Sequence, residues 1–321
     1  MSIPILEFYT ARFQKLRVAT TRAHGEVPYK PALLLAVIEG VEAGSISQNS
    51  IEITAELISA FKAICQELSA SPHFTANKFA LPFYHLSSDG FWHLHTWPGL
   101  EVLLTKSHSI SSFGHLREVV QYACFDEALW QLLAVSASRA ALRITLLQRY
   151  FPQTQFRYRP AAGAEALITI QNQMLEEPVA VYRKHVAASD ELDAVVRSSV
   201  FKRLVLDAYD STCAVSGLKL LSTRTGTAPL LDACHIVPWA ISYDDTLSNG
   251  VALCPNLHRA FDRHLFWVDD EYRVQLTDHF GEVAGVAYGI SQFAGRQLQL
   301  PKESKWWPRL ENLQKQRLPS F

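Results

Sequence analysis

The sequence predicts a two-domain α+β protein, with a mainly helical first domain that holds a small sheet and a smaller mixed second domain. Three observations predict it. Apolar residues recur at helical spacing through much of the first 150 positions. Two short aromatic-rich runs flank Asp89-Gly90, a hairpin signal. Between Asp232 and Asp262 a strand end, an Asn-Gly turn and a helix start follow one another closely.

Taken in order, residues 5 to 20 and 30 to 43 carry helical periodicity. The second run opens on Pro28-Tyr29-Lys30-Pro31 and continues through Ala32-Leu-Leu-Leu-Ala-Val-Ile towards Gly44, with Pro31 in the first turn, where its missing N–H costs no helical bond. A second buried helix is predicted over 54 to 69. Ala80-Leu-Pro-Phe-Tyr-His-Leu86 and Phe91-Trp-His-Leu94 read as the two arms of the hairpin. A further helix starts within 114 to 118, and 126 to 150 reads as two helices in succession, ending near Tyr150-Phe-Pro152. The first domain is therefore expected over 1 to 155, a linker with some local structure over 156 to 189, and the second domain over 190 to 321. Asp190 to Tyr209 is predicted as a helix through Leu192, Val195, Val196, Val200, Leu204 and Val205. The tail 286 to 321, with Leu300-Pro and Trp306-Trp-Pro308, is expected to wrap the second core.

Composition narrows the class. With 321 residues, 48% hydrophobic and 19% charged, the chain is long enough for two globular domains. Five cysteines without a regular framework, no signal-like start and no apolar run of spanning length lead to the expectation of a soluble cytoplasmic protein without membrane contact. A net charge of −1 excludes a uniformly basic surface. Nucleic-acid binding then needs local patches. Three are available: Arg139, Arg143, Arg149, Arg157 and Arg159; Arg183, Lys184, Arg197, Lys202 and Arg203; and Lys302, Lys305, Arg309, Lys315 and Arg317.

The chemistry-bearing residues lie in Asp232-Ala-Cys-His235-Ile-Val-Pro, Asn249-Gly and Leu253-Cys-Pro-Asn-Leu-His258-Arg-Ala-Phe-Asp262. His235 sits at a strand end, and its imidazole can take a proton from an attacking water near neutral pH. Asn249 either pins the intervening loop or reaches a metal. His258 and Asp262, four apart on a helix, project from one face and can share a divalent cation. Such a cation offsets the negative charge that grows on a phosphodiester under attack. Asp232 lies two residues before Cys234 on the same strand face and is the candidate third ligand. Cys213 and Cys254 lack the Cys-x-x-Cys pairs of a closed zinc site and are expected as buried thiols. His264 is at most a phosphate contact.

Residues 213 to 266 resemble the HNH (ββα-metal) nucleases through Cys213-x-x-Ser-Gly, Ala233-Cys-His-Ile-x-Pro, Asn249-Gly and Leu253-Cys-x-x-x-His-x-x-x-Asp262. The resemblance implies a ββα-metal fold, with His235 as general base, Asn249 as the middle residue and His258 as metal ligand. The residue before the base, often Asp or His in related nucleases, is Cys234. The implied cofactor is one divalent ion, with magnesium, manganese, cobalt and nickel the candidates.

The first domain carries Tyr29-Lys-Pro-Ala-Leu-Leu-Leu and Leu81-Pro-Phe-Tyr-His-Leu with Asp89-Gly-Phe-Trp. Over roughly residues 5 to 150 this resembles the sulfur-binding domains that precede HNH modules in modification-dependent (type IV) restriction endonucleases, which recognise phosphorothioate-modified DNA. The resemblance implies double-stranded DNA as partner. Sulfur is larger and softer than the oxygen it replaces, and a cup formed by Pro82 and Tyr84 suits it. Tyr29, Lys30, Pro31, His73, Asn77, Lys78 and His85 are the further candidate contacts to phosphate, sulfur or base edges. Leu81 and His85 depart from the family pattern, where Tyr and a small residue are expected. Readers of a modified base or of a plain sequence, and a non-catalytic DNA-binding protein on an HNH scaffold, remain alternatives. A double-strand break needs two cuts, so a homodimer on DNA is compatible with the reading.

Overall fold

The computed structural model describes residues 3–21, 25–70, 74–101, 110, 112–220, 230–278, 280–283 and 289–317. The chain forms two compact units, Met1–Ile168 with Asp190–Val196, and Thr169–Ser189 with Arg197–Phe321. The fold is mixed: helices predominate, and the sheets among the described residues are small antiparallel pairs.

The first unit is organised around a helix that is apolar on every side. Helix α1 (Ile3–Gln14) leads to the short strand pair β1 (Ala19–Thr21) and β2 (Gly25–Val27). Helix α2 (Tyr29–Glu42) follows, with every residue from Lys30 to Glu39 buried. A helix hydrophobic all round belongs inside a domain. Helix α3 (Ala55–Leu68) packs on α2. It starts where Thr54 accepts a hydrogen bond from the Leu57 N–H at 3.2 Å, an N-cap that satisfies one of the free amides of the first turn.

The hairpin expected about Asp89-Gly90 is not formed. Residues Ala80–His85 are helix α4, and Leu86–Asp89 continue as a 3-10 turn. Buried Phe79, Ala80, Phe83 and Leu86 repeat every three or four residues and not every two. Gly90 closes the turn at φ +77°, a left-handed conformation that favours glycine. Strand β3 (Trp92–Thr96) then pairs instead with β4 (Val120–Phe125), which follows α5 (Phe113–Val119). Helices α6 (Glu127–Ala134) and α7 (Ser136–Tyr150) complete this part and realise the predicted pair.

The segment 156 to 189, expected as a linker, is largely helical: α8 (Ala162–Glu176) and α9 (Val179–Ala187) occupy most of it. Helix α10 (Glu191–Ala208) matches the predicted span closely.

In the second unit, β5 (Asp232–His235) pairs antiparallel with β6 (Gly250–Leu253), setting Asp232 opposite Leu253 and His235 opposite Gly250. Between them lies a single turn of helix, α11 (Trp239–Ser242). Helix α12 (Pro255–Asp262) leaves β6 directly, with Pro255 in its first turn. This is the strand–strand–helix order expected. A second strand pair, β7 (Phe266–Val268) and β8 (Val274–Leu276), and helix α13 (Leu310–Arg317), which packs on β7, enclose the core. Ala252, Leu257, Phe266 and Leu313 are among the fully buried residues there.

Candidate nuclease site and DNA-reading surface

Strand β5 and helix α12 bring the predicted residues together. His235, His258 and Asp262 all line a cleft of about 620 Å³, whose apolar wall includes Pro238, Trp239 and Phe261. Lys315 and His264 lie on the same cleft. His264 has a positive φ of 53° and an Nδ1 held at 2.9 Å by the Gln316 carbonyl, so its loop position is fixed by protein contacts.

His258 stands between two carboxylates. Its Nδ1 is 3.0 Å from Asp232 and its Nε2 is 3.3 Å from Asp262, one helical turn away. The ligand atoms of Cys234, His258 and Asp262 all lie within 4.8 Å of one another. Asp232, expected as the third ligand, is outside that group of three and meets the other nitrogen of His258. A carboxylate on the far nitrogen of a ligating histidine orients the ring and sets its tautomer. Cys234 is fully buried, and that burial, with the charges of Asp262 and Asp232, pushes its thiol up from the usual range. A thiol, an imidazole and a carboxylate form a donor set suited to a borderline divalent ion.

Asn249 is completely buried. Its Nδ2 donates to the carbonyls of Val237 at 3.1 Å and Asp244 at 2.9 Å, and its Oδ1 accepts from the Val237 N–H at 3.0 Å and the Asn312 amide at 3.0 Å. All of these contacts lie within the protein. They clamp residues 237 and 244 within the loop that joins the two strands.

Sequence reasoning missed Asp245. Its carboxylate lies 2.9 Å from His235 Nε2 and accepts from the Tyr182 hydroxyl at 3.0 Å and from the Trp239 indole at 3.1 Å. A lone acid ten positions beyond the histidine, within a loop, carries no periodic signal; its neighbour Asp244 looks identical in sequence but serves as a local brace for Thr246. Cys213 and Cys254 meet at 3.8 Å between sulfurs, and this contact, with the Ser216 and Cys254 backbone amides on the Cys213 sulfur, pulls the Cys213 thiol below the ordinary thiol range.

The first unit distributes its candidates less evenly. Lys30, expected as a DNA contact, is buried, and its ammonium is spent on Asp89 at 2.6 Å and Ser88 at 3.1 Å. Asp89 in turn holds the Arg17 amide, so this pair ties α2 to the turn before β3. Pro31 and Pro82 are also buried, Tyr84 is half-buried, and His85 is exposed. Burial and the nearby Lys30 charge lower the His85 imidazole from its ordinary value. Tyr29 packs against Phe74 with tilted rings and its hydroxyl accepts from the Thr75 amide at 3.1 Å, while Thr75 donates to Asn77 at 2.7 Å. This bracing presents Asn77 and Lys78 to solvent. His73 lies outside the described residues. The basic run near the end of this unit is largely neutralised: Arg143 pairs with Glu42, Arg149 with Glu26 and Arg159 with Glu67.

Comparison with protein families places both resemblances. Residues 213–269 match the HNH endonuclease family. Residues 7–157 match the ScoMcrA-like DNA sulfur-binding domain. The chain carries an HNH endonuclease domain and a DNA sulfur-binding domain. The HNH domain so defined runs from Cys213 past the site helix to Asp269, and the sulfur-binding domain from Glu7 through Arg157. No curated protein matches the chain. Among solved structures, the type IV phosphorothioation-dependent restriction endonuclease ScoMcrA is similar at 13% identity, covering 78% of this chain and 94% of that one, with a TM-score of 0.33. The modification-dependent TagI restriction endonuclease is similar at 21% identity over 38% of each chain, with a TM-score of 0.27. The match thus spans well under half the length of TagI. Among the described residues, no helix is long and apolar enough to cross a membrane.

Proposed function

We propose that the protein is a phosphorothioate-dependent DNA endonuclease, in which the first domain finds the modified backbone and the second hydrolyses a phosphodiester with one divalent cation. The observation that carries this reading is the presence, in one chain, of a sulfur-binding domain match and an HNH domain in which His235, His258 and Asp262 line one cleft.

His258, Asp262 and Cys234 would hold the cation, with Asp232 orienting His258. When bound, it supplies positive charge to the phosphate oxygens and the departing ester oxygen. His235 accepts a proton from water; the water oxygen forms a bond to phosphorus, and the opposite P–O bond breaks with its electron pair leaving on the ester oxygen, which then takes a proton from solvent. Asn249 holds the loop geometry and touches neither reactant. Lys315 adds positive charge on the cleft wall. On the first domain, exposed Asn77, Lys78 and His85 and half-buried Tyr84 provide the polar and aromatic contacts to the backbone.

Fluorescence anisotropy of the full-length protein without metal, on a phosphorothioate duplex and on its all-oxygen twin, tests the reading. The sulfur duplex is expected to bind more tightly. Equal affinity for both, with preference instead for a duplex carrying a modified base, overturns the sulfur assignment while leaving the nuclease assignment standing.

A further inference from the structure

We propose that Asp245 is a positioning residue of the nuclease site: it fixes His235 in the tautomer that leaves Nδ1 free to accept a proton. This rests on the reading of His235 as the general base. An ionised carboxylate only accepts hydrogen bonds, so the 2.9 Å contact between Asp245 Oδ1 and His235 Nε2 puts the imidazole proton on Nε2 and the lone pair on Nδ1.

The carboxylate is itself held. It is 3% exposed, and its second oxygen accepts from Tyr182 and Trp239, with the Arg197 guanidinium 3.8 Å away. Burial and the Asp245 charge push the Tyr182 phenol up, so it keeps its proton and remains a donor. Turning Asp245 away from His235 therefore breaks contacts at both oxygens.

The imidazole is held on its face as well. The Phe201 ring lies parallel to it, 4.0 Å between centroids and 6° between planes. Gly250, opposite His235 across the strand pair, makes room for this: a Cβ there would stand 3.1 Å from the Phe201 ring and 2.4 Å from Val205. Asn249 clamps the Asp244 carbonyl, the residue next to Asp245. When Nδ1 takes the proton, the new imidazolium charge faces a carboxylate that is already in place and needs no reorganisation.

The arrangement also enlarges the catalytic unit. Tyr182 comes from α9, and Arg197 and Phe201 from α10, all ahead of the HNH match at 213–269. The base is thus positioned by helices that the family motif does not include.

Two readouts on the full-length protein test the proposal. Long-range 1H–15N NMR of protein labelled at histidine, with the His235 signals identified by their loss in H235Q, reports the tautomer directly. The wild type is expected to carry the proton on Nε2, and D245N is expected to lose that preference. Steady-state cleavage by D245N is expected to show kcat lower by roughly 10²–10⁴-fold with KM for DNA unchanged, because a wrongly protonated base is a transition-state defect. An unaltered tautomer and rate in D245N overturn the proposal. If D245N does not fold, the wild-type spectrum decides alone: a proton on Nδ1, or an even mixture, overturns it. Cleavage by H235Q separates this from the reading it rests on. Full activity there removes the general base itself, whereas an inactive H235Q beside an unimpaired D245N removes only the role of Asp245.

Discussion

His235 and Asn249 are both polar residues at the ends of one loop, and the structure gives them different work. His235 is exposed to the cleft and keeps one nitrogen free of Asp245, so His235→Ala is expected to lower cleavage by roughly 10²–10⁴-fold while leaving modified-DNA binding intact, read by paired cleavage and anisotropy assays. Asn249 has no such freedom. Asn249→Asp keeps the size but removes the amide that donates to Val237 and Asp244, stranding two buried carbonyls. A loss of about 2–4 kcal/mol in denaturant-unfolding stability of the second unit is expected. The histidines and Asp262 were legible because strand end, turn and helix spacing constrain them. Asp245, Tyr182 and Phe201 were not, because their roles depend on which side chains a loop and two separate helices bring to one point.

Helices were the most legible elements and the short aromatic run the least. The span of α2 follows from its unbroken apolar stretch, and that of α3 from its Thr54 cap. The run Ala80–Leu86 misled because a short apolar segment suits strand and helix alike, and only the partners of Phe79 and Phe83 choose between them. Element packing also makes a pH prediction. Glu39, buried within α2, has its carboxyl pushed up to about 7, chiefly by burial, against which Tyr158 and Arg143 act less strongly. The folded chain therefore keeps a proton there over a range of pH in which the unfolded chain has already lost it. Glu39's contribution to the first unit's stability is expected to be fully present below the ordinary carboxylate range and to be lost as pH rises through about 7. The loss is up to about 3 kcal/mol. Glu39→Gln removes this slope, which thermal melts from pH 5 to 8 will show.

At the scale of the whole molecule, the sulfur-binding match and the HNH match occupy separate stretches of chain, 7–157 and 213–269, and the proposed reading and cutting of DNA are assigned to them in that order. Composition had suggested basic patches as the DNA footprint, yet three of the five arginines in the first unit's basic run, Arg143, Arg149 and Arg159, are matched to glutamates, so charge alone does not mark a reading surface. What composition cannot show is pairing, which depends on the fold. The donor set of Cys234, His258 and Asp262 predicts that chelation abolishes cutting. It also predicts that cobalt or nickel restores it better than magnesium, since sulfur and imidazole favour the softer ions. Initial rates in a chelated protein refilled with each ion measure this order. The central claim, that cutting depends on sulfur in the backbone, is tested most directly by the cleavage rate of a phosphorothioate-modified plasmid beside its unmodified twin in the same metal. The account predicts that the modified plasmid is cut and the twin is left intact; equal cutting of both contradicts it.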